Sequence, residues 1–250
     1  MTFVRRLAAV PEVPMRVALW RECFDREPPE IVHGLVALVL TGMRQRDADA
    51  RLAYQALLAF IDSLRGVEYP PRRALYEAAR LAEDMEVCQL FLTAPRARQA
   101  TEAELRPQAI TAGDRELTLG ERRALARKPD RASLLKLLYD PDPGVVDNLL
   151  RNPYLTEGDV LRVASRRPIA GPSLRAVFRH PRWGRSPAVH EALIYNPYTP
   201  TDIALGLLAL LDQSTLRAVS HEPSVALAIR ARAGVLLRGA PGDPGDPAEP

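Results

Sequence analysis

The sequence predicts an all-α fold, a helical N-terminal unit followed by a stack of short helices. Apolar residues recur at helical spacing through most of the chain, and no segment alternates apolar and polar residues as a half-buried strand does. A motif of about a dozen residues also returns 44 positions later, as RNPYLTEGDVL from Arg151 and YNPYTPTDIAL from Tyr195. At 250 residues, 47% of them hydrophobic, the chain can bury one sizeable core or two modest ones.

In chain order, the N-terminus shows no signal-peptide pattern. Ile31 to Leu40 and the segment around 47–64 both read as helices nearly surrounded by others. In the second, Leu52, Ala56, Phe60 and Leu64 make one row, Ala53, Leu57 and Ile61 the next, and only Arg51, Gln55 and Asp62 remain polar. Pro70-Pro71 then starts a one-sided helix that buries Leu75, Ala78, Ala79 and Ala82. Residues 1–95 thus form a helical N-terminal domain and 96–117, where the apolar pattern lapses, a linker. Thr118 and Thr156, each followed three residues later by an acid, read as capping boxes. The Gly- and Pro-rich segment 238–250 reads as a disordered tail.

Within 118–237 the two copies align part by part. Ser133 to Pro141 matches Ser173 to Pro181 at an offset of 40, and Asp142-Pro143 meets Ser186-Pro187 at 44. The difference is an insertion of four residues, Arg182-Trp183-Gly184-Arg185. Each unit reads as three short helices, with Asn152-Pro153 or Asn196-Pro197 ending the second. Pro forces the residue before it out of the α region, and Asn tolerates the backbone angles of a corner. A third, degenerate unit starts its helices at Ser214-Thr215-Leu216 and Ser224.

The Asp-Pro or Ser-Pro followed by Val, then two apolar residues, Asn-Pro and a Thr-capped helix, resembles HEAT-like repeats and the related leucine-rich repeat variant over about residues 118–237. The resemblance implies a HEAT-like α-solenoid, and such solenoids bind other macromolecules along one face. The iron–sulfur cluster of one repeat-variant protein does not carry over, because its Cys group is missing here. The layout is also similar to bacterial HEAT-domain regulators of small Ras-like GTPases, which implies a protein partner such as a small GTPase or its regulator. No catalytic Arg is carried over from that likeness.

The residues show little chemistry of their own. No GxGxxG or P-loop is present, the four His form no HxxxH pair, and DPDPG at 140–144 lacks the Glu a calcium loop requires. His180, in the place of Asp140, is expected to be a cationic ring at a helix end, and His190 a packing residue. Cys23 and Cys88 read as buried free thiols in a reducing cytoplasm. The longest apolar run, Ile31 to Met43, is shorter than the ~20 residues that span a bilayer, so no membrane association is expected. No catalytic residue, cofactor or metal site is expected.

Charge is the one unequal feature. Residues 118–237 carry a balance of +6 against −1 for 1–117, and Val160 to His190 contains no acid but seven Arg. Residues in only one copy are free to serve function, which singles out Arg182, Trp183 and Arg185 with the nearby Arg166, Arg167, Arg175 and Arg179 as a partner-binding edge. Two readings of Trp183 stay open, an exposed anchor for a partner or a cap folded back between units. The expected function is a non-enzymatic protein–protein interaction scaffold or regulator. The alternative is a nucleic-acid-binding HEAT-like protein that uses the basic tract 160–190, which the missing interleaved aromatics and the near absence of Lys weigh against.

Overall fold

Prolines and short polar caps set the helix boundaries in the computed structural model, which describes residues 3–91, 97–105, 111–112 and 115–238. Among these residues the chain is helical apart from one strand pair, β1 (Thr111–Ala112) antiparallel to β2 (Arg115–Glu116). Among the described residues two compact units are present, one of residues up to Phe91 with Leu236–Arg238, and one from residue 97 to Val235. The tail expected at 238–250 lies outside the described residues except for Arg238. No described helix is long and apolar enough to cross a membrane.

The first unit holds α1 (Phe3–Ala9), α2 (Val13–Arg26), α3 (Pro29–Arg44), α4 (Ala48–Ser63), α5 (Pro70–Leu81) and α6 (Met85–Phe91). Helix α4 starts where the Asp47 carboxylate accepts the Asp49 N–H at 2.9 Å. It packs against α1, α2 and α3. Its apolar rows bury Ala53, Ala56, Leu57 and Phe60, as their spacing predicts. Trp20 donates its indole N–H to the Ala53 carbonyl (3.0 Å), and Phe24 meets Phe60 edge-on at 4.8 Å. Helices α3 and α4 come so close that a Cβ on Gly42 would stand 2.6 Å from the Ala50 Cβ.

Three expectations for this unit are corrected, the first being Ala82, which is exposed just past the end of α5 and not buried. Asp62 is 5% exposed, not part of a polar stripe, with Arg65 4.0 Å away. Helix α3 is not surrounded, since Ile31 and Leu38 are half exposed. Its length of uncharged sequence imitates a central helix, yet only the side bearing Val32, Val36, Val39 and Leu40 is covered. Cys23 and Cys88 are both free and buried. Burial pushes the Cys23 thiol up to about 11 and raises that of Cys88, so both stay protonated and weakly nucleophilic at neutral pH.

The second unit contains α7 (Leu119–Leu125), α8 (Arg131–Leu137), α9 (Pro143–Leu150), α10 (Glu157–Ser165), α11 (Gly171–Arg179), a 3₁₀ turn (Trp183–Arg185) and α12 (Pro187–Tyr195). Helix α13 (Thr201–Leu207), a second 3₁₀ turn (Leu208–Leu210), α14 (Gln213–His221) and α15 (Leu227–Arg238), whose last three residues fall with the first unit, follow. Thr118 and Thr156 each close a capping box, with Glu121 and Asp159 reaching back.

The repeated corners make the same bonds. Asn152 donates its amide to the carbonyls of Ala126 and Lys128 (both 2.9 Å) and accepts the Tyr154 N–H (3.0 Å). Asn196 donates to Ala164 (2.7 Å) and Arg166 (2.9 Å) and accepts the Tyr198 N–H (3.0 Å). Each Asn therefore ties the end of its own helix to the end of the α-helix two before it. Asn196 has φ −89° and ψ 114°, ordinary extended backbone, so the unusual angles expected of Asn are not what selects it. The acceptor half of this arrangement, a side chain before Pro that takes the N–H two residues on, occurs at three further places. Asp140 accepts from Asp142 (2.9 Å), His180 from Arg182 (3.3 Å) and Glu222 from Ser224 (3.0 Å).

Asp159 joins α10 to α8. Buried at 1% exposure, it accepts hydrogen bonds from both terminal guanidinium nitrogens of Arg131 (2.5 and 2.8 Å) while Thr156 donates to the same carboxylate. The Arg131 hydrogen bonds, and then those of Thr156, hold its carboxyl well below the usual carboxylate range. A folded-state pKa below the unfolded value of about 3.9 means the pair contributes fully above that value, and its contribution is lost as pH falls toward the folded pKa. Asp159→Asn should therefore lower stability by about 2 kcal/mol at pH 7, the size of a charge-assisted hydrogen bond, and by progressively less as pH falls below about 4. Urea midpoints at the two ends of that range check it. An equal loss at both would mean that the charge is not what stabilises.

Candidate functional site

The seven residues expected to form one binding edge fall into three settings. Arg166 points inward and donates to the carbonyls of Leu138, Asp140 and Pro168, each at 3.2 Å. Burial lowers its pKa, with Asp140 working against the shift. Arg167 is exposed and donates to the Tyr195 carbonyl at the end of α12. These two arginines close helix ends, where a cation suits the carbonyl dipoles.

The insertion is the second setting, and of the two readings of Trp183 its burial fits the folded-back cap and not the exposed anchor. Trp183 is 3% exposed and donates its indole N–H to the Leu150 carbonyl at 3.0 Å. His180 stacks on its ring at 6.0 Å, and the Arg182 guanidinium lies over it at 4.0 Å. A Cβ on Gly184 would overlap the Phe178 carbonyl oxygen, so the turn can pass over the end of α11 only with glycine at that position. Arg185 is half-buried. The insertion is therefore wound into the unit, and Trp183 is a packing residue.

His180 is also corrected. Its Nδ1 accepts the N–H groups of Arg182 and Trp183 (3.3 and 3.4 Å), which requires a lone pair on that nitrogen. Burial first, and then the nearby Arg151, push its pKa down, so the ring is neutral rather than cationic. His190 is buried, as its packing role implies, with Nε2 2.8 Å from the Gly184 carbonyl oxygen.

The third setting is a groove of about 610 Å³ beside α9 and α11, and it is the candidate site. Arg175 and Arg179, one turn apart on α11, line it with Pro172 and Ala176; Asp147 and Arg151 face them from α9, and His180 and Pro181 close the end. Arg151 bonds Asp147 at 3.0 Å with both side chains well exposed, a pair that water and salt weaken. Arg175 is held by Asp202 of α13 at 3.3 Å and is only 14% exposed, so its guanidinium is fixed in direction. The result is a cleft with an apolar floor of Pro and Ala, three guanidinium groups, the Asp147 carboxylate and a neutral imidazole. It offers hydrogen-bond donors to carboxylates or phosphates and contains no obvious nucleophile–base pair.

Of the expected residues, Arg175 and Arg179 meet in this groove, whereas Arg166, Arg167, Arg182, Trp183 and Arg185 do not line it. Arg151 and Asp147 were missed because they lie outside the acid-free tract. Comparison of the copies could have found Arg151, since Tyr195 stands at the matching place. Among the described residues no group of three His, Cys, Asp or Glu side chains is placed to hold a metal ion. Compared with known proteins, the chain matches no family model, no curated protein and no solved structure.

Proposed function

We propose that residues 118–237 form a short α-solenoid of the HEAT-like or leucine-rich-repeat-variant kind. In this reading the protein has no catalysis of its own and docks an acidic segment of a protein partner in the groove between α9 and α11. The observation that carries the proposal is the recurrence of the Asn152 and Asn196 bonds at matched corners, the arrangement expected when each unit stacks on the one before. Stacked units leave a groove between successive helices, and here it is lined by arginines. The likeness in layout to HEAT-domain regulators makes a small GTPase, or a protein that regulates one, the first partner to try.

Fluorescence polarisation with a labelled Asp/Glu-rich peptide, and with labelled single- and double-stranded DNA, tests this reading. The peptide should bind, and Arg179→Glu should weaken it by roughly tenfold or more, equivalent to ~1.4 kcal/mol. DNA binding should fade between low salt and ~0.15 M, where counterion release no longer favours it. DNA held in preference to peptide at that salt, or equal peptide binding by wild type and Arg179→Glu, would overturn the proposal.

A further inference from the structure

We infer that α3 is a self-association face, on which a second copy of this chain lays its own α3 antiparallel. Ile31, Gly34, Leu38 and Thr41, spaced by three, four and three residues, share one face of the helix. Ile31 is 52% and Leu38 50% exposed, Thr41 is exposed, and a Cβ built on Gly34 would meet nothing within 4 Å. From Ile31 to Met43 the chain has no Asp, Glu, Lys or Arg, so this face has no charge of its own. The outer face of α5, by contrast, exposes Arg73, Glu77 and Arg80.

The stripe fits itself in one direction. Gly34 with Leu38, and Ile31 with Thr41, are both centred on the level of Val36. A two-fold axis at that level places each Leu38 over the gap above the partner's Gly34, with Ile31 and Thr41 along the two edges of the contact. Glu30 and Arg44, both exposed, bound the stripe about four turns apart and lie on the same flank of it. The same axis therefore brings each Glu30 beside the partner's Arg44, which within its own chain already bonds Glu86. Parallel pairing would put each Glu30 on the opposite flank from the partner's charges, stack Leu38 on Leu38 and leave the Gly34 gaps facing each other. Acid at one end and cation at the other is the charge pattern of a surface complementary to itself under a two-fold axis. A strip of three helical turns is small for a specific interface, so the dimer should form in the range of tens of micromolar, about −6 kcal/mol.

Sedimentation velocity on the full chain, from about 1 to about 300 micromolar around that affinity, reads the association directly. The expected result is a shift from monomer to dimer that Leu38→Glu abolishes while leaving the thermal melt unchanged. Register is read by oxidising a mixture of Gly34→Cys and Leu38→Cys chains. The mixed disulfide should form faster than either homotypic one, and the buried Cys23 and Cys88 should not compete. This second assay stands even if Leu38→Glu fails to fold. A monomer throughout the range, a dimer that survives in folded Leu38→Glu, or Gly34→Cys chains linking mainly to one another would each overturn the proposal. So would a monomeric wild type in which Leu38→Glu lowers the melt, which would mean that the face is covered within its own chain.

Discussion

Asn196→Ala should destabilise the protein by about 3 kcal/mol, well beyond the ~1 kcal/mol typical of a lost helix cap. The side chain is 1% exposed and makes two donor bonds and one acceptor bond, all to main chain. Truncation leaves the Ala164 and Arg166 carbonyls and the Tyr198 N–H without this partner, and a buried polar group left unsatisfied costs about 1–3 kcal/mol. Asn196→Asp sharpens the test. It keeps the acceptor for Tyr198 but turns a carboxylate oxygen toward two carbonyls, so it should destabilise at least as much at neutral pH. Asn152→Ala should follow with a similar loss, since that side chain is 4% exposed and makes the same three bonds. Thermal or urea unfolding decides the matter; losses below about 0.5 kcal/mol at both sites would show that the carbonyls find other donors and that the corners are not clamps.

The parts of this chain that could be read in advance are those whose cause is local. Thr118 with Glu121 and Thr156 with Asp159 need only a four-residue window, and the two Asn-Pro corners showed themselves by returning in register. Burial of Leu57 and Phe60 followed from helical spacing. The errors concern partners distant in sequence. Asn152 bonds Ala126 and Lys128, 26 and 24 residues upstream, and no local pattern points there. Asp62 has the composition of a surface residue and is buried by helix packing. In the basic tract, the acid-free run drew attention to Arg175 and Arg179, which line the groove. The groove also needs Asp147 and Arg151 from a different helix, and charge counted along the chain cannot show which arginines face one another across it.

Trp183→Ala should cost about 4 kcal/mol and lower the melting temperature by roughly 10 °C, whereas Arg182→Ala should change stability by less than about 1 kcal/mol. The two residues are adjacent and both aromatic contact and charge are present, yet they differ in burial. Trp183 fills the interior between the 3₁₀ turn and the end of α9 and satisfies the Leu150 carbonyl, so truncation opens a cavity and orphans an acceptor. Arg182 rests on the ring from the solvent side at 4.0 Å, and an exposed cation–π contact is worth about 0.5–1 kcal/mol. Trp183→Phe separates the two contributions to the larger loss. It keeps most of the apolar volume but gives up the indole donor, so it should fall between wild type and Trp183→Ala, at about 1–2 kcal/mol. The double change of Trp183 and Arg182 to Ala should then unfold early, so it cannot serve as a binding-deficient control. A double variant that melts like the wild type would place the indole in solvent and return Trp183 to the partner-docking edge.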